Sequence, residues 1–260
     1  LKDVFEFSAE SVAAILKAIG DNPEAIASAL KTVFALGAQE AAATLRNVGF
    51  PVDAVAGALK DVFDFGAESA QSVAAILKAI GENPEAIASA LKNVFVLGAQ
   101  DVAAILKNIA ANPKEVAWAI KQAFQLGAQD VATILKAIAT DPAAVLDALT
   151  NVFELGVQDA AAILRNVGFP LDAVAGALKD VFEFSAESVA AILKAIQDDP
   201  AAVAAALKAA FALGAEQVAT ILRNIGFPVD SVALALKEVF DFSAEQVAAA
   251  LRAIGATASQ

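Results

Sequence analysis

PEAIASALKNVFVLGAQDVAAILKNI, residues Pro84–Ile109, is the stretch that decides the fold. Ile87, Leu91, Val94 and Phe95 recur at spacings of three and four, and so do Val102, Ile105, Leu106 and Ile109. That is the period of a helix, not the alternation of a strand. Asn83 before Pro84 is a helix start, because the amide caps the first turn and the ring pre-sets φ. The Leu97-Gly98-Ala99 bend then splits the stretch into a helix A and a helix B. Alanine fills most remaining positions, so each helix keeps only a narrow polar stripe and both flanks need cover. A lone hairpin cannot supply that cover; a stack of like hairpins can.

The rest of the chain repeats this unit. Its eight prolines, Pro23, Pro51, Pro84, Pro113, Pro142, Pro170, Pro200 and Pro228, each open a helix A. Their spacing of about 29 residues marks a repeat array. Asn22, Asn83, Asn112, Asp141 and Asp199 are the expected N-caps. Helix A is expected to stop near Gly37, Gly98, Gly127, Gly156 or Gly214, or near Ser8, Ser185 or Ser243. Two subtypes appear. One begins Asn/Asp-Pro and bends through Leu-Gly-Ala. The other begins Gly-Phe-Pro (Gly49–Pro51, Gly168–Pro170, Gly226–Pro228), always behind Arg-Asn, and bends through Phe-x-Phe. Their second rings, Phe7, Phe65, Phe184 and Phe242, are expected to pack on the Gly-Phe-Pro segment of their own repeat.

The expected architecture is an all-α, open, right-handed α-solenoid of about nine helix-turn-helix repeats and about 18 short helices. Residues 1–255 read as a single repeat domain, a segment of a longer array, because Leu1–Ile19 matches Leu178–Ile196 and so starts inside a helix A. Residues 256–260 read as a frayed tail.

Composition narrows the chemistry. The chain has no His, Cys, Met or Tyr. Proton transfer and nucleophilic attack lean on His, Cys and Tyr, so the expectation is no enzyme. Lacking imidazole and thiolate, it is also expected to carry no metal and no cofactor. A net charge of -12 opposes a phosphate-tracking groove, so no nucleic-acid partner is expected. Basic residues interrupt every apolar run, so no transmembrane segment is expected. Without cysteines the redox compartment is unreadable, and the reading leans only toward an extracellular or cell-surface setting.

Two features recur once per helix or once per repeat. Basic residues form two ladders. Lys2, Lys31, Lys60, Lys92, Lys121, Lys179, Lys208 and Lys237 lie in helices A, and Lys17, Arg46, Lys78, Lys107, Lys136, Arg165, Lys194, Arg223 and Arg252 in helices B. They read first as solubilising stripes beside acidic neighbours such as Asp61, Asp180 and Glu238, and second as a row of anion contacts. A Phe ladder (Phe34, Phe63, Phe95, Phe124, Phe153, Phe182, Phe211, Phe240) reads as the anchor between successive hairpins. Trp118 is singular; the equivalent positions hold Ser28, Gly57, Ser89, Asp147, Gly176, Ala205 and Leu234. It is read either as an interaction residue beside Lys121 and Lys92, or as a filler near the three-residue insertion at Ser69–Gln71. Carboxylate pairs such as Glu6/Glu10 and Asp198/Asp199 lack the facing geometry that glycosidase chemistry needs.

The layout resembles the α-solenoids of the HEAT, armadillo and TPR kind, which implies a stacked helical scaffold. Phe7-Ser-Ala-Glu-Ser-Val and Phe242-Ser-Ala-Glu-Gln-Val look like the start of TALE-like DNA-binding repeats. Period, inter-helix loop and charge all depart from that pattern, so DNA binding is not carried over. The first functional expectation is a non-enzymatic structural or interaction scaffold, a surface or filament-forming repeat protein that binds protein or itself by end-to-end stacking. The alternative is a carrier with an apolar or lipid-like ligand on its concave face.

Overall fold

The computed structural model of the protein describes residues 7–65, 68–197, 199–253 and 255. The expected helix at Leu1, the frayed tail at 256–260, Lys2, Glu6 and Asp198 lie outside these residues. Seventeen helices fill the described chain, with no strand among the described residues. Two compact units divide it, Leu1–Gly127 and Ala128–Gln260. In the first lie α1 (Ala9–Ala18), α2 (Pro23–Val33), α3 (Ala38–Asn47), α4 (Val52–Val62), α5 (Ser69–Ala79), α6 (Pro84–Phe95), α7 (Ala99–Asn108) and α8 (Pro113–Phe124). In the second lie α9 (Ala128–Ala137), α10 (Pro142–Val152), α11 (Val157–Asn166), α12 (Leu171–Phe182), α13 (Ala186–Ile196), α14 (Pro200–Phe211), α15 (Ala215–Asn224), α16 (Val229–Phe240) and α17 (Ala244–Ala253).

Even-numbered helices are the A helices and odd-numbered ones the B helices. Each unit stacks its hairpins so that A lies on A and B on B, the α-solenoid arrangement. The A layer is the tighter one. Its contacts are made by alanines as well as by large side chains: Ala27, Ala56, Ala58, Ala88, Ala90, Ala117 and Ala119 are all fully buried. Between them Ile26, Leu30, Leu59, Ile87, Leu91 and Ile120 form the core, with their B-helix partners Leu45, Leu77 and Leu106. Each such side chain contributes about 1.5–3 kcal/mol. No polar or charged residue is buried among the described residues. The core is therefore held by packing alone.

The five expected N-caps are in place. Asn22 and Asn83 each accept from the third residue onward at 2.8 Å. Asp141 and Asp199 accept from Ala143 and Ala201 at 2.8 and 3.0 Å. Asn112 accepts from Glu115 N at 2.9 Å while the Glu115 carboxylate accepts from Asn112 N at 3.0 Å. In these five hairpins Pro is the first helical residue. In the Gly-Phe-Pro subtype it sits one place earlier: Pro51, Pro170 and Pro228 are themselves the extended N-cap residues.

Helix A stops near Gly37, Gly98, Gly156 and Gly214 as expected, and these glycines are the extended N-caps of the following B helix. Ser8 and Ser185 likewise cap B helices, accepting from Ser11 N and Ser188 N at 3.1 and 3.2 Å. What closes helix A, except α4 with its extended Phe63, is a left-handed residue that is not glycine: Ala35, Val96, Gln125, Glu154, Glu183, Ala212 or Asp241, with φ between 53° and 56°. Such a residue costs on the order of 1–2 kcal/mol. The left-handed glycines belong to the opposite bend, where helix B closes. There Gly168, at φ 89°, donates to the Arg165 carbonyl while Phe169 donates to Leu164 O, a Schellman closure. Ala110 and Ala139 close their B helices the same way without glycine.

Candidate functional site

The basic ladders are the feature with recurrent geometry, and neither expected reading describes it. The lysine of one hairpin reaches the next hairpin and donates to the backbone carbonyl at the end of the equivalent helix. In the A layer Lys31 donates to Val62 O at 2.7 Å, Lys92 to Ala123 O at 2.6 Å, Lys179 to Ala210 O at 2.8 Å and Lys208 to Val239 O at 2.8 Å. In the B layer Lys17 donates to Val48 O at 2.6 Å, Lys136 to Val167 O at 2.7 Å and Lys194 to Ile225 O at 2.9 Å, and Lys78 to Ile109 O. All span 31 residues. Lys60, whose bond to Val94 O crosses the Ser69–Gln71 insertion, spans 34. The cations thus sit at helix C-termini, where the helix dipole and the unpaired carbonyls favour them. Asp61, Asp180 and Glu238 are not their partners.

All of these ammonium groups but that of Lys78 also lie over a ring of the hairpin that they reach. The A-layer lysines Lys31, Lys60, Lys92, Lys179 and Lys208 stand 4.6–5.2 Å above Phe63, Phe95, Phe124, Phe211 and Phe240. In the B layer Lys17, Lys136 and Lys194 stand 4.7, 5.3 and 4.6 Å above Phe50, Phe169 and Phe227. These last three are the buried rings of Gly-Phe-Pro, which sequence reasoning left out of the Phe ladder. The signal for them was present: a lysine precedes each by 33 residues. The second rings of the bends lie against the first rings of the same bend, stacked in the first two pairs and tilted in the third. Phe63–Phe65, Phe182–Phe184 and Phe240–Phe242 have centroids 6.3, 5.3 and 5.9 Å apart.

Arginine at the same ladder position behaves differently. Arg46 and Arg165 turn to the Phe carbonyl of their own Gly-Phe-Pro, at 2.5 and 2.7 Å, and Arg223 does so at 3.4 Å. Across to the next hairpin Arg46 Nε pairs with the Glu82 carboxylate, in the place where lysine meets a ring. Arg165 Nη2 donates to Gln197 Oε1 at 3.4 Å, one residue before that place. The fit at Gln197 is poorer, and Arg165 Nε is buried without a partner.

Trp118 lies on α8 and is 44% exposed. Its Nε1 donates to Glu85 Oε2 on α6 at 3.0 Å, and Lys121 lies 5.5 Å from its ring. Lys92 is held at Ala123 and Phe124, so the structure brings Lys121 but not Lys92 to the indole. The insertion at Ser69–Gln71 forms the first turn of α5, where Gln71 accepts from Asn108 at 3.4 Å. No group of three or more acidic side chains that could hold a metal ion occurs among the described residues, and no described helix is long and apolar enough to cross a membrane. No protein-family model and no curated protein matches the chain.

Three outcomes follow from these contacts. Lys136→Gln removes a charged donor and a cation–π contact, and is expected to cost about 1.5–3 kcal/mol locally. Amide exchange at Gly168 and Phe169 checks it, since repeat arrays do not melt as one unit. Gln197→Glu sets a carboxylate where Arg165 Nη2 now meets an amide, and should slow exchange around α13 by several-fold. Trp118→Ser should change stability by less than about 1 kcal/mol by denaturant titration; a loss above about 2 kcal/mol would contradict the exposed placement.

Proposed function

We propose that the protein is a non-enzymatic structural and interaction scaffold that associates with further copies of itself, head to tail. The observation carrying this reading is that the chemistry-bearing side chains of each hairpin are directed at the next hairpin. Lysines bind carbonyls and rings; arginines bind a carbonyl and a facing carboxylate or amide. Among the basic residues the pattern has one direction, from each hairpin to its successor, so a hairpin offers cations on one side and their acceptors on the other. An interface of that kind is heterologous, and repetition of it builds chains of subunits.

The first and last B helices supply a matching pair. Asp21 donates its backbone N–H to Leu16 O, as Glu82 does to Leu77 O, so its carboxylate occupies the slot that Glu82 occupies opposite Arg46. Gly255 donates to Arg252 O, as Gly49 does to Arg46 O, so Arg252 stands in the Arg46 slot. Two copies stacked in register set Arg252 of one against Asp21 of the other. Ile15 and Ile19, 39% and 72% exposed, lie on the same first B helix and would gain cover.

Sedimentation velocity of the 260-residue chain is the test. The sedimentation coefficient should rise with concentration, fall to a single slow species in Arg252→Glu, and recover in Arg252→Glu combined with Asp21→Arg. A wild-type chain that stays monomeric at every concentration overturns self-association.

A further inference from the structure

Three B helices end on the same arrangement. Phe50, Phe169 and Phe227 each follow a left-handed glycine and donate their N–H to Leu45, Leu164 and Leu222 at 3.0–3.1 Å. Their rings are 9%, 8% and 4% exposed and lie under the ammonium of the preceding B-helix lysine. Ala111 occupies the same backbone slot at the end of α7. It follows the left-handed Ala110 and donates to Leu106 O at 3.0 Å. Lys78 takes the place of Lys17, Lys136 and Lys194, donating to Ile109 O as they do to Val48, Val167 and Ile225. The lysine is there; the ring is not.

In its place is an open cleft of about 430 Å³, lined by Lys78, Pro84, Ile87, Ile109, Ala111 and Glu115 among others. Such a volume is ample for one ring, since benzene fits a dry cavity of roughly 150 Å³. Its two carboxylates are engaged: Glu82 with Arg46 and Glu115 with Asn112 N. The slot lies under the Lys78 ammonium and beside Pro84, Ile87 and Ile109, as the rings of Phe50, Phe169 and Phe227 lie under their lysines, which suits the face of an uncharged aromatic ring.

We infer that the cleft beside Ala111 is a binding site for a small ligand carrying a single uncharged aromatic ring, held under Lys78 as Phe50, Phe169 and Phe227 are held under their lysines. Ala111 is the specificity-determining position, because it stands where the Gly-Phe-Pro hairpins place the ring. The site is independent of self-association.

The test titrates the intact chain with benzyl alcohol and with cyclohexylmethanol, which has a similar shape but no aromatic face, and follows backbone amide resonances. Benzyl alcohol should shift Lys78, Ala110 and Ala111 saturably, with cyclohexylmethanol at least about fivefold weaker. Ala111→Phe should abolish the response, and Ala111→Leu provides the same block should the larger side chain disturb helix content. The inference is overturned by the absence of a saturable shift at these amides, by equal binding of both alcohols, or by a response that survives in the folded blocked variant.

Discussion

The bond from a lysine ammonium to a carbonyl of the next hairpin is the constraint on which the array depends. The core is alanine, leucine, isoleucine and valine, and contains no buried polar residue among the described residues. Apolar packing is strong but non-directional, and helices so alike could meet in more than one register. The ammonium removes that freedom. It must find a carbonyl at the end of one particular helix, with a ring beneath it, and the same span of 31 residues recurs wherever no residues are inserted. The bond also helps to offset the left-handed residues that end the A helices. In Lys92–Ala123 the bonded carbonyl lies two residues before Gln125, at φ 56°. An exposed β-branched residue, Val96, occupies this conformation without glycine's freedom, two residues past the carbonyl held by Lys60.

Short-range features were legible in the sequence. The hairpin, its period and the five side-chain caps follow from rules that operate over a few residues, and the helices stand where those rules put them. Glycines were harder to read. The glycine near each bend marked where helix A stops but not how: Gly98 and Gly214 are extended residues that start the next helix, and the left-handed role falls to Val96 and Ala212. The left-handed conformation is only mildly unfavourable for an ordinary residue, so a supporting contact from elsewhere can install it, and that contact has no local signature.

The partners of the ladders were illegible for a related reason. A backbone carbonyl is present at every residue, so nothing in the sequence of Ala123 or Val167 announces that it receives a lysine. Only the rings beneath carried a signal, as a constant distance between Lys17 and Phe50, Lys136 and Phe169, and Lys194 and Phe227. The exchange of lysine for arginine was visible as Arg-Asn before Gly-Phe-Pro, but its meaning was not. It required seeing Arg46 and Arg165 fold back on their own Phe carbonyls while reaching Glu82 and Gln197. Trp118 was noticed for being alone, and its tie to Glu85 across two A helices shows how a singular residue is accommodated on a periodic surface.

The exchange of Lys for Arg has a bearing on how such an array can change length. A lysine in one B helix suits a ring in its successor, and an arginine suits a carboxylate or amide, so a junction is a grammatical agreement between neighbours. Removing one hairpin from a mixed run sets a lysine against Glu82-type chemistry or an arginine against a ring. In an alternating run, removing or copying a two-hairpin block preserves every agreement, so duplication in blocks is the mutational path that this chemistry favours there.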